Sequence, residues 1–412
     1  MARTVFSGAA VFDGTRLQAR AALVVDEGRV AGIVPEAAAP RGERVRLGGG
    51  VLAPGFVDLQ VNGGGGVMLN DRPDLQGIRT ICAAHARLGT TALTPTLITD
   101  TVSVTRAAVA AGIAAAETGV PGFLGLHLEG PHLSLARKGA HDPALIRPMD
   151  ETDLVRLERV RGTLPYLLVT VAAETVTPEQ IARLVRAGIV VSIGHSDASF
   201  EVTSAAIQAG ASMTTHLFNA MSQIGNRDPG VVGAALHHGS VWAGLIADGI
   251  HVNPATLGLA LRAKTGPGRI FLVSDSMSQA GADMASFELN GRTIYRRDGA
   301  LRLGDGTLAG ADLTLDAAVR YLHLEFGLEL GECLRMASLY PAQAIGAKGL
   351  GRLVPRAEAN PVWLDSGLKP RVLPGYNPTH RVTPAKTGAH PEMWRLSLTT
   401  APPQDGSRPS PG

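Results

Sequence analysis

Only two cysteines, Cys82 and Cys333, occur in 412 residues. Both fall in helical patterns as small apolar residues, which excludes a disulfide framework and points to a reducing, cytoplasmic setting. Charge is also scarce: Asp, Glu, Lys and Arg make up 18% of the chain, the net charge is +2, and lysine and arginine form no run. This excludes an electrostatic footprint for nucleic acid and leaves small molecules as the expected partners. No segment approaches about 20 uninterrupted apolar residues, so no membrane span is expected. The opening Met-Ala-Arg-Thr-Val-Phe-Ser-Gly reads as lacking the apolar stretch of a signal peptide.

Apolar residues, at 45%, supply a large core. The length exceeds one ordinary domain but suits an α/β barrel with an appendage. Residues 1–50 read as short strands joined by tight turns such as Asp26-Glu27-Gly28. So few short strands form an incomplete sheet unless another part of the chain joins them. From Val51 onward strands alternate with helices, which requires a parallel sheet. Eight strands are expected, at 55–60, 91–96, 123–129, 166–171, 189–193, 212–216, 241–247 and 270–275, and eight is the number that closes a barrel.

Helix punctuation supports that spacing. Thr177-Pro178-Glu179-Gln180 offers an N-cap, a first-turn proline and a capping-box glutamine, and Asn253-Pro254 opens another helix in the same way. Residues 375–412 hold seven of the 26 prolines and read as a disordered tail, with Met393, Trp394 and Leu396 as a local anchor.

The segment 123–129, Phe-Leu-Gly-Leu-His-Leu-Glu, alternates strictly. Leu124, Leu126 and Leu128 share one face and pack outward against helices, while Gly125, His127 and Glu129 face inward. Glu129 then reaches the C-terminal mouth of the barrel, where barrel enzymes keep their sites. His195 and His216 each follow an apolar strand and are 21 residues apart, one helix-plus-strand unit. They are expected to be neighbours on one rim, although either alone could be a hydrogen-bonded structural histidine. Asp275 ends the last strand across the barrel, placed for a catalytic base or, alternatively, a helix N-cap. A carboxylate, two imidazoles and a second carboxylate are the parts that hold a metal and serve its water. The loop 131–141 is basic and could be no more than a solvated loop, whereas Arg227 and His251 lie just beyond strand ends and suit a phosphate or carboxylate.

These strings resemble the N-acetylglucosamine-6-phosphate deacetylases of the amidohydrolase superfamily. The resemblance rests above all on His-Leu-Glu-Gly-Pro at 127–131, Gly-His-Ser at 194–196, Thr-His-Leu-Phe-Asn-Ala-Met at 215–221, and Asp275. It implies a (β/α)8 barrel over 51–349 beside a small β-sandwich domain built from both chain ends, 1–50 plus 350–373. It implies that Glu129, His195 and His216 bind the metal and that Asp275 is the general base and acid. Ala140, His141, Asn219, Ala220, Arg227, His251, Leu308, Ala309 and Gly310 would contact substrate, with His141 also aiding catalysis. The substrate implied is a sugar phosphate, N-acetyl-D-glucosamine 6-phosphate, with N-acetylgalactosamine 6-phosphate or another N-acyl sugar phosphate as the alternative.

Where many amidohydrolases carry His-x-His for a second metal, this chain has Gln60 and Asn62. Neutral amides are poor ligands for a divalent ion, so a single metal is expected. Zinc is the first choice, with Fe2+, Co2+ or Mn2+ as alternatives. The resemblance also implies a homodimer. After 360–365 the chain departs from the family, which leaves the last strands of the small domain open.

Overall fold

Eight parallel strands, each hydrogen-bonded to the next in chain order, form the central sheet of the computed structural model. They are Phe56–Val61, Thr90–Ile98, Leu126–Glu129, Leu167–Val171, Val190–Ile193, Met213–Thr214, Trp242–Leu245 and Ile270–Leu272. All eight expected strands are present, most of them trimmed by a few residues at their ends. The ring closes through a parallel bridge between Val61 and Ser276, with Asp275 N donating to Gln60 O at 3.0 Å and Asn62 N to Ser276 O at 2.9 Å. Asp58, fully buried, accepts from the backbone N–H groups of Ser274 and Gln60 across the same seam. Its carboxyl is pushed up to about 7, chiefly by burial. The fold is therefore a (β/α)8 barrel, with residues 3–160 and 162–374 described. The tail expected at 375–412, with Met393, Trp394 and Leu396, lies outside the described residues.

Helices between the strands pack their apolar faces onto the barrel. Thr177 caps Pro178–Arg186 with the expected capping box to Gln180, and Asn253 caps Pro254–Ala263. Cys82 and Cys333 are buried and unpaired, in helices Leu75–Ala86 and Leu330–Ala337. Among the described residues no helix is long and apolar enough to cross a membrane.

Both chain ends build two further sheets. One holds Thr4–Ser7, Ala21–Asp26, Arg29–Pro35 and Glu43–Arg46; the other holds Ala10–Phe12, Leu17–Gln18, Val51–Pro54, Pro361–Leu364 and Pro370–Arg371. Phe6, Val11, Leu23, Val25, Leu52 and Leu353 fill the space between them, giving a small β-sandwich. A strand after 360–365 does exist: Pro370–Arg371 pairs with Trp363 and Leu364.

The alternation in 123–129 is realised on the third strand. Leu126 and Leu128 enter the main core, while His127 is bonded inside the barrel by Thr96 Oγ1 at 3.2 Å and Thr170 Oγ1 at 2.7 Å. Gly125 is required where this strand meets its neighbour, because a Cβ there would lie 2.0 Å from the carbonyl oxygen of Tyr166. That oxygen also accepts from Leu126 N, so the ladder cannot yield without losing a bond. Gly125→Ala is expected to destabilise the fold by about 3 kcal/mol, a cost typical of forced backbone strain in a core. Denaturant unfolding would measure it; an unchanged midpoint would mean that the pairing of these strands tolerates a methyl group.

Candidate active site

At the C-terminal mouth of the barrel lies a cavity of about 350 Å³. The backbone there is locally unfavourable. His195, His216 and Asp275, each just past a strand end, have φ of +46°, +30° and +47°. Such left-handed geometry in non-glycine residues persists only where surrounding contacts enforce it, and it clusters at functional sites. Asp275 caps no helix; the next described strand begins at Ser286.

Three side chains converge on one point. His195 Nε2 lies 3.1 Å from His216 Nε2, and Glu129 Oε1 lies 3.3 Å and 3.2 Å from these two nitrogens. With metal–nitrogen bonds of 2.0–2.1 Å, tetrahedral ligand atoms stand roughly 3.3 Å apart, so the triangle has the dimensions of a divalent-ion site. His195 is oriented by its other ring nitrogen, whose N–H donates to Arg137 O at 2.7 Å and leaves the Nε2 lone pair facing inward. Glu129, His141 and His195 also offer ligand atoms within 4.8 Å of one another. The His141 arm of that alternative is longer, with Nε2 3.9 Å from Glu129 Oε2, so the set with His216 fits an ion more closely.

The electrostatics match this convergence. Burial pushes the Glu129 carboxyl upward, but hydrogen bonds and charge from His195 and His216 outweigh it and hold it well below its ordinary value. Burial disfavours a charged His216, yet Glu129 outweighs that too, and the imidazole pKa is raised. Asp275 is raised to about 6, first by burial and then by the charge of Glu129. Its Oδ1 accepts from Asn62 Nδ2 at 2.7 Å and Gln60 Nε2 at 3.1 Å. Gln60 Nε2 also reaches Glu129 Oε1 at 3.2 Å. The two amides thus present N–H groups to the carboxylates where a second cation would have to sit.

Most of the expected substrate contacts meet at this cavity. Ala140, His141, Asn219, Ala220, His251, Leu308 and Gly310 line it. His251 Nδ1 is held by Asp248 at 2.6 Å, which leaves Nε2 for a ligand. Two of the expected contact residues are not among those lining this cavity. Ala309 is fully buried, in the apolar cluster that includes Met277 and Leu301. Arg227 is exposed and not among the lining residues.

Two further residues, Thr99 and Arg292, support the cavity wall. Thr99 contacts His141, and Arg292 donates to the carbonyl of Ala140. Arg292 belongs to a three-stranded antiparallel sheet, Ser286–Leu289, Arg292–Arg297 and Ala300–Arg302, inserted after the last barrel strand. Its signals were present as Asn290-Gly291 and Asp298-Gly299, pairs suited to two-residue hairpins, and all four residues have positive φ.

The sequence matches the amidohydrolase family over residues 51–391. The chain belongs to the amidohydrolase family. This amidohydrolase is 42% identical to an N-acetylgalactosamine-6-phosphate deacetylase of Shewanella sp. (strain ANA-3), over 88% of this chain and 92% of that one. It is 37% identical to the Homo sapiens N-acetylglucosamine-6-phosphate deacetylase, over 79% and 82% of the two chains. Its fold resembles the crystal structure of N-acetylglucosamine-6-phosphate deacetylase from Pasteurella multocida, with a TM-score of 0.85, 35% identity, and coverage of 89% and 97%. A Mycobacterium smegmatis N-acetyl-D-glucosamine-6-phosphate deacetylase mutant, solved with that sugar phosphate, gives a TM-score of 0.83 at 32% identity over 90% and 97%. Amidohydrolases are metal-dependent, and the Glu129–histidine cluster could hold a metal ion.

Proposed function

We propose that this amidohydrolase removes the acetyl group from N-acetyl-D-glucosamine 6-phosphate, giving D-glucosamine 6-phosphate and acetate in amino-sugar metabolism. The observation that carries the reading is the convergence of Glu129, His195 and His216, with Asp275 beside them, in a cavity at the mouth of a barrel whose relatives are deacetylases of amino-sugar phosphates. One divalent ion, zinc in this proposal, held by Glu129, His195 and His216, would supply Lewis acidity to a water and to the acetyl carbonyl.

The chain's own groups divide the remaining work. Asp275 takes a proton from the water that attacks the carbonyl carbon. His141 donates a hydrogen bond to the oxygen on which negative charge develops. As the carbon–nitrogen bond breaks, Asp275 returns the proton to the departing amine, leaving acetate and the free amino sugar. His251 Nε2 faces the phosphate. Arg227, off its own cavity wall, is assigned to the phosphate held by a neighbouring subunit of a cytoplasmic homodimer.

A second reading keeps the chemistry and changes the sugar, because the Shewanella relative acts, by its name, on the galactosamine epimer. Steady-state hydrolysis of both sugar phosphates, with metal quantified on the same sample, tests the proposal. A higher kcat/KM on the gluco substrate, with one metal equivalent per chain, is the expected result. A reversed preference selects the galacto epimer, and no acetate from either removes the function. Two tightly held equivalents would refute the role given to Gln60 and Asn62.

A further inference from the structure

Where the second barrel strand ends, two donors of one residue converge on a single ring nitrogen. Thr99 N lies 3.3 Å, and Thr99 Oγ1 2.8 Å, from His141 Nδ1. A backbone N–H can only donate, so Nδ1 is an acceptor and the proton of a neutral ring sits on Nε2. The Thr99 hydroxyl has one other acceptor in reach, Glu129 O at 3.4 Å, which is much the poorer contact. Space confines it further: a Cβ on Gly130 would stand 2.2 Å from Thr99 Oγ1.

We propose that Thr99 is a positioning residue for the deacetylation. By donating to Nδ1 it fixes His141 as the neutral Nε2–H tautomer, an N–H donor turned toward the cavity. The proposal rests on the reaction assigned above. His141 is almost fully buried, and with Nδ1 taken as an acceptor the place of the remaining ring proton decides what the ring can do. A protonated Nε2 has no lone pair for a metal. This separates the two candidate ligand sets: His141 drops out of the group with Glu129 and His195, and His216 completes it. His141 is left as a hydrogen-bond donor to developing negative charge, the preorganised kind of group that stabilises an oxyanion.

The test compares Thr99→Val and Thr99→Ser in the full, metal-loaded enzyme, with Thr99→Ala in place of valine if that variant does not fold. Two readouts are taken: steady-state kinetics and nitrogen-15 NMR of the His141 ring, which distinguishes an acceptor nitrogen from an N–H. In Thr99→Val, kcat is expected to fall about 10- to 100-fold, the usual effect of losing an outer-shell partner. KM should change little, and the Nδ1 acceptor signature should weaken, since only the longer backbone N–H contact of Thr99 remains. Thr99→Ser, which keeps the hydroxyl, should preserve both. An unchanged His141 signature in the valine variant overturns the proposal, whatever happens to kcat, because any loss would then come from packing. A wild-type enzyme inactive on both epimers but with the expected His141 signature would sink the assigned reaction and leave the tautomer standing.

Discussion

Asp275→Asn is expected to lower kcat by about 10²- to 10⁴-fold, the usual contribution of a positioned general base, while metal content stays unchanged. The substitution is close to isosteric. Asp275 Oδ1 accepts from Asn62 and Gln60, and an asparagine can offer an oxygen to the same donors, so the seam of the barrel is preserved. What it cannot do is accept a proton from water. The pH profile provides a second signature. Burial and the Glu129 charge raise Asp275 to about 6, and a base must be deprotonated to act, so kcat/KM should fall as the pH drops through that region. A bound divalent ion favours the carboxylate and moves this limb lower, never higher. The variant should lose the limb along with its activity. Near-wild-type turnover with metal still bound would remove Asp275 from the mechanism.

What could be read from the sequence followed from two short-range regularities. Strand periodicity placed Glu129, His195, His216 and Asp275 at the ends of four barrel strands, and a barrel brings all strand ends to one rim. That topological step turned four positions far apart in sequence into one cluster. The alternation of 123–129 put His127 and Glu129 on the same inward face, and only Glu129 stands at the strand's end; the ring nitrogens of His127 are both occupied by threonine hydroxyls. Contacts that depend on where a loop folds back were not legible in this way. Thr99 reaches His141 across 42 residues and Arg292 reaches Ala140 across 152, and no local pattern encodes either meeting. The inserted hairpin sheet is a different case. Its Asn-Gly and Asp-Gly turns carry a local signal, but the count to eight strands was already complete without it. Arg227 follows the sixth barrel strand but is exposed and does not line the cavity.

Glu129→Gln is expected to weaken metal binding by more than about 100-fold, since losing an outer-shell partner alone costs 10- to 100-fold, and activity should fall with it. Removing the anion strips the site of the group that makes two buried imidazoles tolerable. In the metal-free protein a proton does part of the ion's work: Glu129 is held low, the His216 pKa is raised, and the His216 Nε2 lies 3.2 Å from the Glu129 carboxylate. A metal must displace that proton to reach the His216 lone pair. Apparent affinity in the wild type should therefore decline as the pH falls below the raised His216 value, by about tenfold per pH unit for one displaced proton. The ion in turn stabilises only the folded chain, by about 4 kcal/mol at a free concentration a thousandfold above Kd. A chelator should accordingly lower Tm in the wild type and leave Glu129→Gln almost unmoved. Metal titrations across the acid range, paired with melting curves with and without chelator, check both statements. A pH-independent affinity, or equal chelator sensitivity in the two proteins, would place the ion elsewhere than between Glu129, His195 and His216.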